Sequence, residues 1–225
     1  MNNDVLRQAP LFGALDDEAA TALRASMSEV RLHRGEVLFH EGDSGDRLYI
    51  VTDGKVKLGR TSSDGRENLL AILGPGQMFG ELSLFDPGPR SATVTAVTDT
   101  SFVSLSHEDL LRWLDGRPMV ARGLLAQLAG RLRRANDVVA DLVFSDVPGR
   151  VAKALLDLAD RFGRTADDGI HVPHDLTQEE LAQLVGASRE TVNKALADFA
   201  SRGWIRLEPR SVVIMEVDRL SRRAR

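Results

Sequence analysis

Cysteine is absent from this 225-residue sequence, which excludes disulfides, zinc sites built on cysteine, cysteine-ligated iron–sulfur clusters and thiol catalysis. Long apolar runs are missing as well, because stretches such as residues 69–73 are far shorter than the roughly 18 residues that cross a bilayer. The first 13 residues have no basic start followed by an apolar core, so we predict no signal peptide and expect a cytoplasmic protein.

A strongly basic charge balance is also lacking, since the net charge of −4 is unlike the basic surface that nucleic-acid binding usually requires. This average conceals an asymmetry. Residues 1–116 hold 11 basic and 18 acidic residues, a net charge of −7, whereas residues 117–225 hold 18 and 15, a net charge of +3. Residues 186–225 alone hold 9 and 5, a net charge of +4. The composition, 43% hydrophobic and 28% charged, predicts one or two globular domains, acidic at the front and basic at the back.

The front half has the pattern of a β domain that follows a short helix. Residues 16–27 have the apolar spacing of an amphipathic helix. Short apolar stretches then alternate with turn signals such as Asp53-Gly54, and Asp-Gly pairs favour tight hairpins. The predicted strands are residues 37–40, 48–52, 56–60, 68–72, 92–97 and 101–105. Closely spaced short strands of this kind favour a sandwich, a barrel or a jelly roll.

A long helix is predicted after the strands. Ser106 can cap a short helix over residues 107–114 that ends at Gly116, and Pro118 suits the first turn of a helix that runs to about Phe144. The long helix carries an apolar seam with heptad spacing, formed by Leu125, Leu128, Leu132, Ala135, Val139 and Leu142. The seam fits either a dimer interface or a helix packed on its own domain, and the spacing alone leaves both open.

The last third has the pattern of two short helices joined by a turn. A helix closed by Gly163, a polar loop and a short strand are predicted over residues 149–162, 164–169 and 170–172. The residues from Thr177 to Glu180 form a capping box at the start of the next helix. Gly186 ends that helix, and Ser188 can cap the helix over residues 189–200. A short turn containing glycine between two helices is typical of a helix-turn-helix.

The second of these helices has one apolar and one polar face. The side chains predicted to be buried are Val192, Leu196 and Phe199, and those predicted to face outward are Arg189, Glu190, Asn193 and Lys194. Strands over residues 204–207 and 212–217 flank a turn at residues 208–211 and predict a wing. The polar face, the wing and the local positive charge favour DNA binding. A helical hairpin with a solvated face is the alternative.

A group of residues in the β domain suits a phosphorylated sugar. Glu81 follows a glycine, and a loop rich in glycine and proline leads to Arg90 and Ser91. Arginine forms charge-assisted hydrogen bonds with phosphate, and a carboxylate can accept from ribose hydroxyls. The alternative is a salt bridge between Glu81 and Arg90 across a turn, which residue chemistry alone favours.

The sequence resembles the Crp/Fnr family of bacterial transcription regulators over nearly its whole length. The segments that carry the resemblance are residues 54–57, 80–83, 90–92, 146–150 and 186–192. Residues 64–69 and 85–90 are similar to the actinobacterial cAMP receptor proteins of this family. The resemblance implies an α+β fold, with a cyclic-nucleotide-binding jelly roll over residues 1–116, a long dimerisation helix over residues 117–145 and a winged helix-turn-helix over residues 146–225.

The resemblance also implies a cyclic nucleotide as ligand, most simply cAMP. The family's ribose contacts fall on Gly80 and Glu81, with Leu82 beside them. Its phosphate contacts fall on Arg90 and Ser91, and its adenine contacts on Ala135 and Asn136. Ala135 departs from the family pattern, because a methyl group cannot form the hydrogen bond that the usual hydroxyl residue offers to adenine. Cyclic di-GMP, or activity without ligand, is the alternative, and no metal, haem or iron–sulfur cluster is expected.

For DNA, the resemblance implies a palindrome of TGTGA-like half-sites bound by a homodimer that is joined through helix 118–144. The base-reading positions are Arg189, Glu190 and Lys194, and the secondary or phosphate contacts are Ser188, Thr191 and Asn193. RNA polymerase is the implied protein partner, close to the polar loop 164–169. We therefore expect a regulator and not an enzyme. The rival is a cupin-type enzyme, but the five histidines include no His-x-His pair of the kind that a metal centre would use.

Overall fold

The computed structural model describes Val5, Ala9 and residues 15–86, 88–115 and 117–224. The signal-peptide prediction for residues 1–13 falls almost entirely outside these residues, and the predicted helix end at Gly116 also lies outside them. The chain forms two compact units, one of Met1–Arg60 and Leu70–Arg134 and the other of Thr61–Leu69 and Ala135–Arg225. No helix in the described part of the chain combines the length and apolar character that a membrane span requires.

Eight strands precede the long helix. Their bounds are β1 Ser28–Leu32, β2 Val37–Phe39, β3 Arg47–Asp53, β4 Val56–Thr61, β5 Glu67–Leu73, β6 Met78–Phe79, β7 Thr93–Ala96 and β8 Thr100–Ser106. They form two four-stranded sheets, in the orders β1-β8-β3-β6 and β2-β7-β4-β5. All six predicted strands are present, and β1 and β6 were not predicted. Helix α1, Asp17–Ala25, precedes the strands, and the single turn α2, Leu82–Phe85, follows β6.

Alternation of side chains along the strands builds two cores in the first unit. The core between the sheets is formed by Val51, Val56, Leu73, Phe79, Val94 and Phe102. The other core packs one sheet against helices and is formed by Leu23, Leu48, Ile50, Met78, Val103, Leu105, Leu110, Val120 and Leu124, with Ala9. The predicted Asp53-Gly54 turn is present, and Gly54 has φ +79° with Asp99 O only 2.3 Å from where a Cβ would lie. Glycine is therefore required there.

The next three helices start where the sequence predicts or close to it. Helix α3, His107–Leu114, begins after Ser106, whose Oγ accepts from the Asp109 backbone N–H at 3.1 Å. Helix α4 is Pro118–Phe144, and helix α5 is Val147–Phe162. Helix α5 starts two residues before the predicted position, because Asp146 Oδ1 caps it by accepting from Gly149 N at 2.9 Å and Pro148 fits the first turn.

The apolar seam of α4 is largely exposed in this chain. Leu125 is 66% exposed and Leu132 is 64% exposed, and Ala135, Val139 and Leu142 are exposed too. Only Leu128 is half-buried. The described residues therefore leave most of the seam uncovered, contrary to the alternative that the helix packs this face on its own domain.

The second unit completes the fold with a small sheet and three helices. Its remaining elements are β9 Arg164–Ala166, β10 Gly169–Val172, α6 Gln178–Val185, α7 Arg189–Ser201, β11 Ile205–Glu208, β12 Ser211–Ile214 and α8 Val217–Arg223. The strand order is β11-β12-β10-β9. The predicted polar loop 164–169 is wrong, because its first three residues pair antiparallel with β10. The second wing strand ends at Ile214, and Val217 begins a helix that was not predicted.

Candidate functional site

Arg90 is buried in the first unit with part of its guanidinium unsatisfied. Its backbone N–H donates to Asp43 O at 2.8 Å, and its carbonyl accepts from Gly42 N at 2.9 Å. The side chain is only 4% exposed. Nη1 donates to Gly80 O at 2.9 Å, whereas Nε has no hydrogen-bond partner among the described residues. Burial lowers the pKa of Arg90 from its usual value, and an unmade hydrogen bond in a buried charged group is costly.

Glu81 is buried next to Gly80 and is paired with a residue that the sequence did not reveal. The carboxylate is 1% exposed, and its Oε1 accepts from Arg131 Nη1 at 2.5 Å. Arg131 Nη2 also donates to Met78 O. Glu81 Oε2 has no partner among the described residues. The alternative salt bridge between Glu81 and Arg90 is wrong, because Glu81 pairs with α4 instead.

The predicted ribose and phosphate residues meet around the start of α2. Gly80 has φ +81°, and a Cβ there would lie 2.8 Å from Arg90 Nη1 and 2.9 Å from Arg47 O, so only glycine fits. Leu82 and Ser91, which follow Glu81 and Arg90 directly in the chain, are exposed. The site thus presents one buried cation and one buried anion, each with an unused polar atom.

The predicted adenine contacts lie on α4. Ala135 and Asn136 are exposed, and Ala135 follows Arg131 by four residues. Residues at this spacing share one face of a helix. The spacing of four residues between Arg131 and Ala135 is the one sequence signal that could have identified Arg131 as a site residue. Nothing else in the sequence links Arg131 to Glu81.

The second unit contains the predicted helix-turn-helix. Thr177 Oγ1 accepts from Glu180 N at 3.1 Å, and Glu180 Oε2 accepts from Thr177 N at 2.7 Å, so the predicted capping box is confirmed. Gly186 ends α6 with φ +69°. Ser188 caps α7, because its Oγ accepts from Thr191 N at 3.2 Å. These caps fix the angle at which α7 leaves the turn.

The two faces of α7 are those that the sequence predicts. The buried side chains are Val192, Ala195, Leu196 and Phe199. The predicted DNA contacts Ser188, Arg189, Glu190, Thr191 and Lys194 are exposed, and Asn193 is half-buried. Lys194 Nζ donates to Glu190 Oε1 at 2.8 Å, one helical turn away. An exposed pair of this kind contributes little to stability, so both groups remain available to a ligand.

Arg150 joins the end of α4 to the turn of the helix-turn-helix within the second unit. Its guanidinium donates to Ser145 O at 2.8 Å, to Val185 O at 3.1 Å and to Gly186 O at 3.3 Å. Asp146, next to Ser145, pairs with Arg223 at 2.5 Å, and this hydrogen bond lowers the pKa of Asp146. The junction between α4 and α5 is therefore joined by side-chain hydrogen bonds to the turn of the helix-turn-helix and to α8.

A charged cluster ties the β9–β10 hairpin to β11. Asp168 accepts from Arg206 Nη2 at 2.6 Å and lies 2.7 Å from His171 Nε2. The hydrogen bonds from Arg206 and His171 lower the pKa of Asp168 to about 2. His174 is buried, and its Nδ1 accepts from Leu176 N at 3.1 Å. Among the described residues, no three histidines or carboxylates are grouped as metal ligands.

Comparisons with known proteins agree with this two-part architecture. A family model for the cyclic nucleotide-binding domain matches residues 29–117, and a model for the Crp-like helix-turn-helix domain matches residues 149–223. A curated relative from Mycobacterium tuberculosis, described as a CRP-like cAMP-activated global transcriptional regulator, is 56% identical over 223 residues. The match covers 99% of this chain and 100% of the relative.

Solved structures give the same result. The N-terminal domain of a transcriptional regulator from Streptomyces coelicolor is 65% identical, with TM-score 0.51, covering 64% of this chain and 99% of that one. The c-di-GMP responsive global regulator CLP of Xanthomonas campestris is 26% identical, with TM-score 0.76, covering 88% of this chain and 99% of that one. On these matches, the chain belongs to the Crp family of transcription regulators, with a cyclic nucleotide-binding domain followed by a Crp-like helix-turn-helix domain.

Proposed function

We propose that this protein is a homodimeric regulator that binds palindromic DNA sites in response to cAMP. The observation that carries the proposal is the pair of buried groups in the first unit, Arg90 and Glu81, which each keep a polar atom without a partner among the residues that the structure describes. Buried polar groups are normally hydrogen-bonded. A ligand with an anionic phosphodiester and a neighbouring hydroxyl donor supplies a partner for both.

In this proposal the ligand is held by residues 80–82, by residues 90–91 and by residues of α4. Arg90 and Ser91 bind the cyclic phosphate, and Gly80 and Glu81 bind the ribose, with Leu82 beside them. Ala135 and Asn136 are the proposed adenine contacts. Asn136 is then the hydrogen-bonding residue for the base, because Ala135 has only a methyl group. The curated relative from Mycobacterium is described as cAMP-activated, which supports cAMP as the ligand.

For DNA, we propose that α7 enters the major groove and reads TGTGA-like half-sites. Arg189, Glu190 and Lys194 contact base edges, since arginine pairs with guanine and a carboxylate accepts from cytosine. Ser188, Thr191 and Asn193 contact the backbone or support the base-reading side chains. The exposed positions of these side chains on α7, Asn193 being half-buried, support this assignment.

The dimer is proposed to form through helix 118–144. Burying a leucine contributes about 1.5–3 kcal/mol, so covering the exposed seam with that of a second copy is a substantial driving force. The proposed domains are residues 1–116, 117–145 and 146–225. RNA polymerase is the proposed protein partner, near residues 164–169, and such a regulator acts in the cytoplasm. Sedimentation showing only a 24.6 kDa monomer would contradict the dimer.

Calorimetry with cAMP, cGMP and cyclic di-GMP tests the ligand, and fluorescence anisotropy with a TGTGA palindrome, with and without cAMP, tests the response. We expect cAMP to bind and to raise DNA affinity. Arg90→Ala should abolish the cAMP heat, because it removes the only cation proposed to meet the phosphate. Arg31→Ala, an exposed arginine on β1, is the matched control and should bind normally. An unchanged isotherm for Arg90→Ala would show that Arg90 is structural.

Cyclic di-GMP is the second candidate ligand. Ala135 lacks the adenine-binding hydroxyl, and one structurally similar protein is described as c-di-GMP responsive. The same calorimetric panel decides between the two, since binding of cyclic di-GMP without binding of cAMP would replace the first proposal by the second. DNA binding that is equal with and without every nucleotide would point to a regulator that needs no ligand.

A further inference from the structure

The Arg90 guanidinium rests on aromatic rings, and in the described part of the chain no carboxylate forms a salt bridge with it. Its Cζ lies 4.3 Å from the centroid of the Phe39 ring and 5.8 Å from that of Tyr49. Cations within about 6 Å of a ring centroid are attracted by the ring's quadrupole. The two rings, Phe39 and Tyr49, form a seat that holds the guanidinium without an ion pair. The charge of Arg90 therefore remains available to a ligand.

The rings of this seat are themselves fixed by the core. Tyr49 stacks on Phe79 with centroids 5.4 Å apart, and the Phe39 centroid lies 6.0 Å from Tyr49 and 6.2 Å from Phe79. Phe79 is fully buried between the sheets. A side chain resting on such a cluster has few alternative rotamers, because close-packed cores leave little free space.

Gly45 limits the space around the Arg90 guanidinium on another side. A Cβ at Gly45 would lie 2.6 Å from Arg90 Nε and 2.7 Å from Cζ, closer than side chains can approach. Arginine presents its donors as a rigid planar fork, and one edge of that fork carries Nε and Nη2. Since Nη1 is occupied by Gly80 O, the edge that includes the unpartnered Nε is left for a ligand.

We propose that Phe39 is a positioning residue, which holds the Arg90 guanidinium in its anion-binding orientation before any ligand is present. The proposal rests on the proposed function, and it adds a residue from β2 that is not among the proposed nucleotide contacts. Ordering a long side chain on binding weakens affinity. A free Arg90 without its seat must be ordered by the ligand, and we expect cyclic nucleotide affinity to fall roughly threefold to tenfold.

The test uses the full-length protein and the variants Phe39→Leu and Phe39→Tyr. Tyrosine keeps the ring and should restore normal behaviour. Phe102→Leu is the matched control, because Phe102 belongs to the same cluster, with its ring centroid 5.7 Å from that of Phe79. NMR order parameters of the Arg90 Nε–H, assigned by its loss in Arg90→Lys, are measured without ligand, and cAMP affinity is measured by calorimetry.

We expect a rigid Nε–H in the wild type, Phe39→Tyr and Phe102→Leu, and a mobile one in Phe39→Leu, which alone loses affinity. An Nε–H that stays rigid in Phe39→Leu overturns the proposal, as does an equal loss of affinity in Phe102→Leu. A wild-type protein that binds no cyclic nucleotide would instead refute the proposed function. The order parameters need no ligand, so they would still show whether Phe39 holds the Arg90 guanidinium in place.

Discussion

Removing the guanidinium of Arg131 should show how strongly the stability of the first unit depends on the ion pair between Arg131 and Glu81. Glu81 is 1% exposed, and its only described partner is Arg131 at 2.5 Å. Arg131→Ala therefore leaves a buried carboxylate without compensation. Replacing both residues, as in Glu81→Gln with Arg131→Met, removes the charge as well as its partner.

The magnitude follows from burial. Breaking a buried ion pair by removing one partner typically costs about 3–5 kcal/mol. The Arg131 side chain is 27% exposed, so water can reach the carboxylate in the variant, and we expect the lower end, about 3 kcal/mol. A chain of this size loses about 2–4 °C in Tm per kcal/mol, which gives a fall of roughly 6–12 °C. The double variant should recover most of this loss.

Tryptophan fluorescence can follow the first unit separately. The chain has two tryptophans, Trp113 in α3 and Trp204 next to β11, so a Trp204→Phe background reports only on Trp113. Arg133→Ala is the matched control, because Arg133 is exposed on the same helix, and it should change stability by less than about 0.5 kcal/mol. A Tm for Arg131→Ala equal to that of Arg133→Ala, or a double variant that loses the sum of the single losses, would refute the reasoning.

Four further results are expected. Arg189→Ala should weaken binding to the palindrome by about 1–3 kcal/mol and relax specificity at one base, whereas equal losses on unrelated sequences in anisotropy would contradict base readout. Ala135→Thr should tighten cAMP binding by up to roughly tenfold through one added hydrogen bond, and an unchanged isotherm would show that the adenine is held elsewhere. Asp168 should titrate by NMR with a pKa of about 2. Its contribution to stability is therefore present above the usual pKa of an aspartate and is lost as the pH falls towards 2. An ordinary pKa for Asp168 that Arg206→Ala leaves unchanged would contradict this ion-pair assignment. Arg150→Lys, which cannot reach three carbonyls at once, should weaken DNA binding but leave cAMP affinity unchanged in calorimetry; unaltered DNA affinity would show that the clamp is dispensable.

The strands that the sequence predicted are short apolar stretches whose ends have turn signals. The strand β6 has only two residues, too few for any periodicity. The strand β9 escaped prediction for a different reason, since all three of its residues are polar or small and exposed. It is a strand only because β10 supplies hydrogen-bond partners. The local sequence pattern of a segment does not show which other strand it will pair with.

Some residues of the candidate site could likewise be predicted from the sequence, and others could not. Glu81 and Arg90 were predicted because their residue types suit a phosphorylated sugar and their loop is rich in glycine and proline. Their actual partners were not predicted, because Arg131 lies 50 residues from Glu81 and because Phe39 reads as an ordinary core residue of β2. Long-range partners of buried charges follow from tertiary packing, which a single sequence does not display.

Helix α4 forms ion pairs and hydrogen bonds at several points along its length. Arg131 on this helix holds Glu81, Asp141 pairs with Lys153 of α5 at 2.5 Å, and the carbonyl of Ser145 is bound by Arg150. In the proposed function, a ribose hydroxyl that bonds to Glu81 would act on a group already paired with α4, and a ligand would change DNA affinity only through such differential contacts.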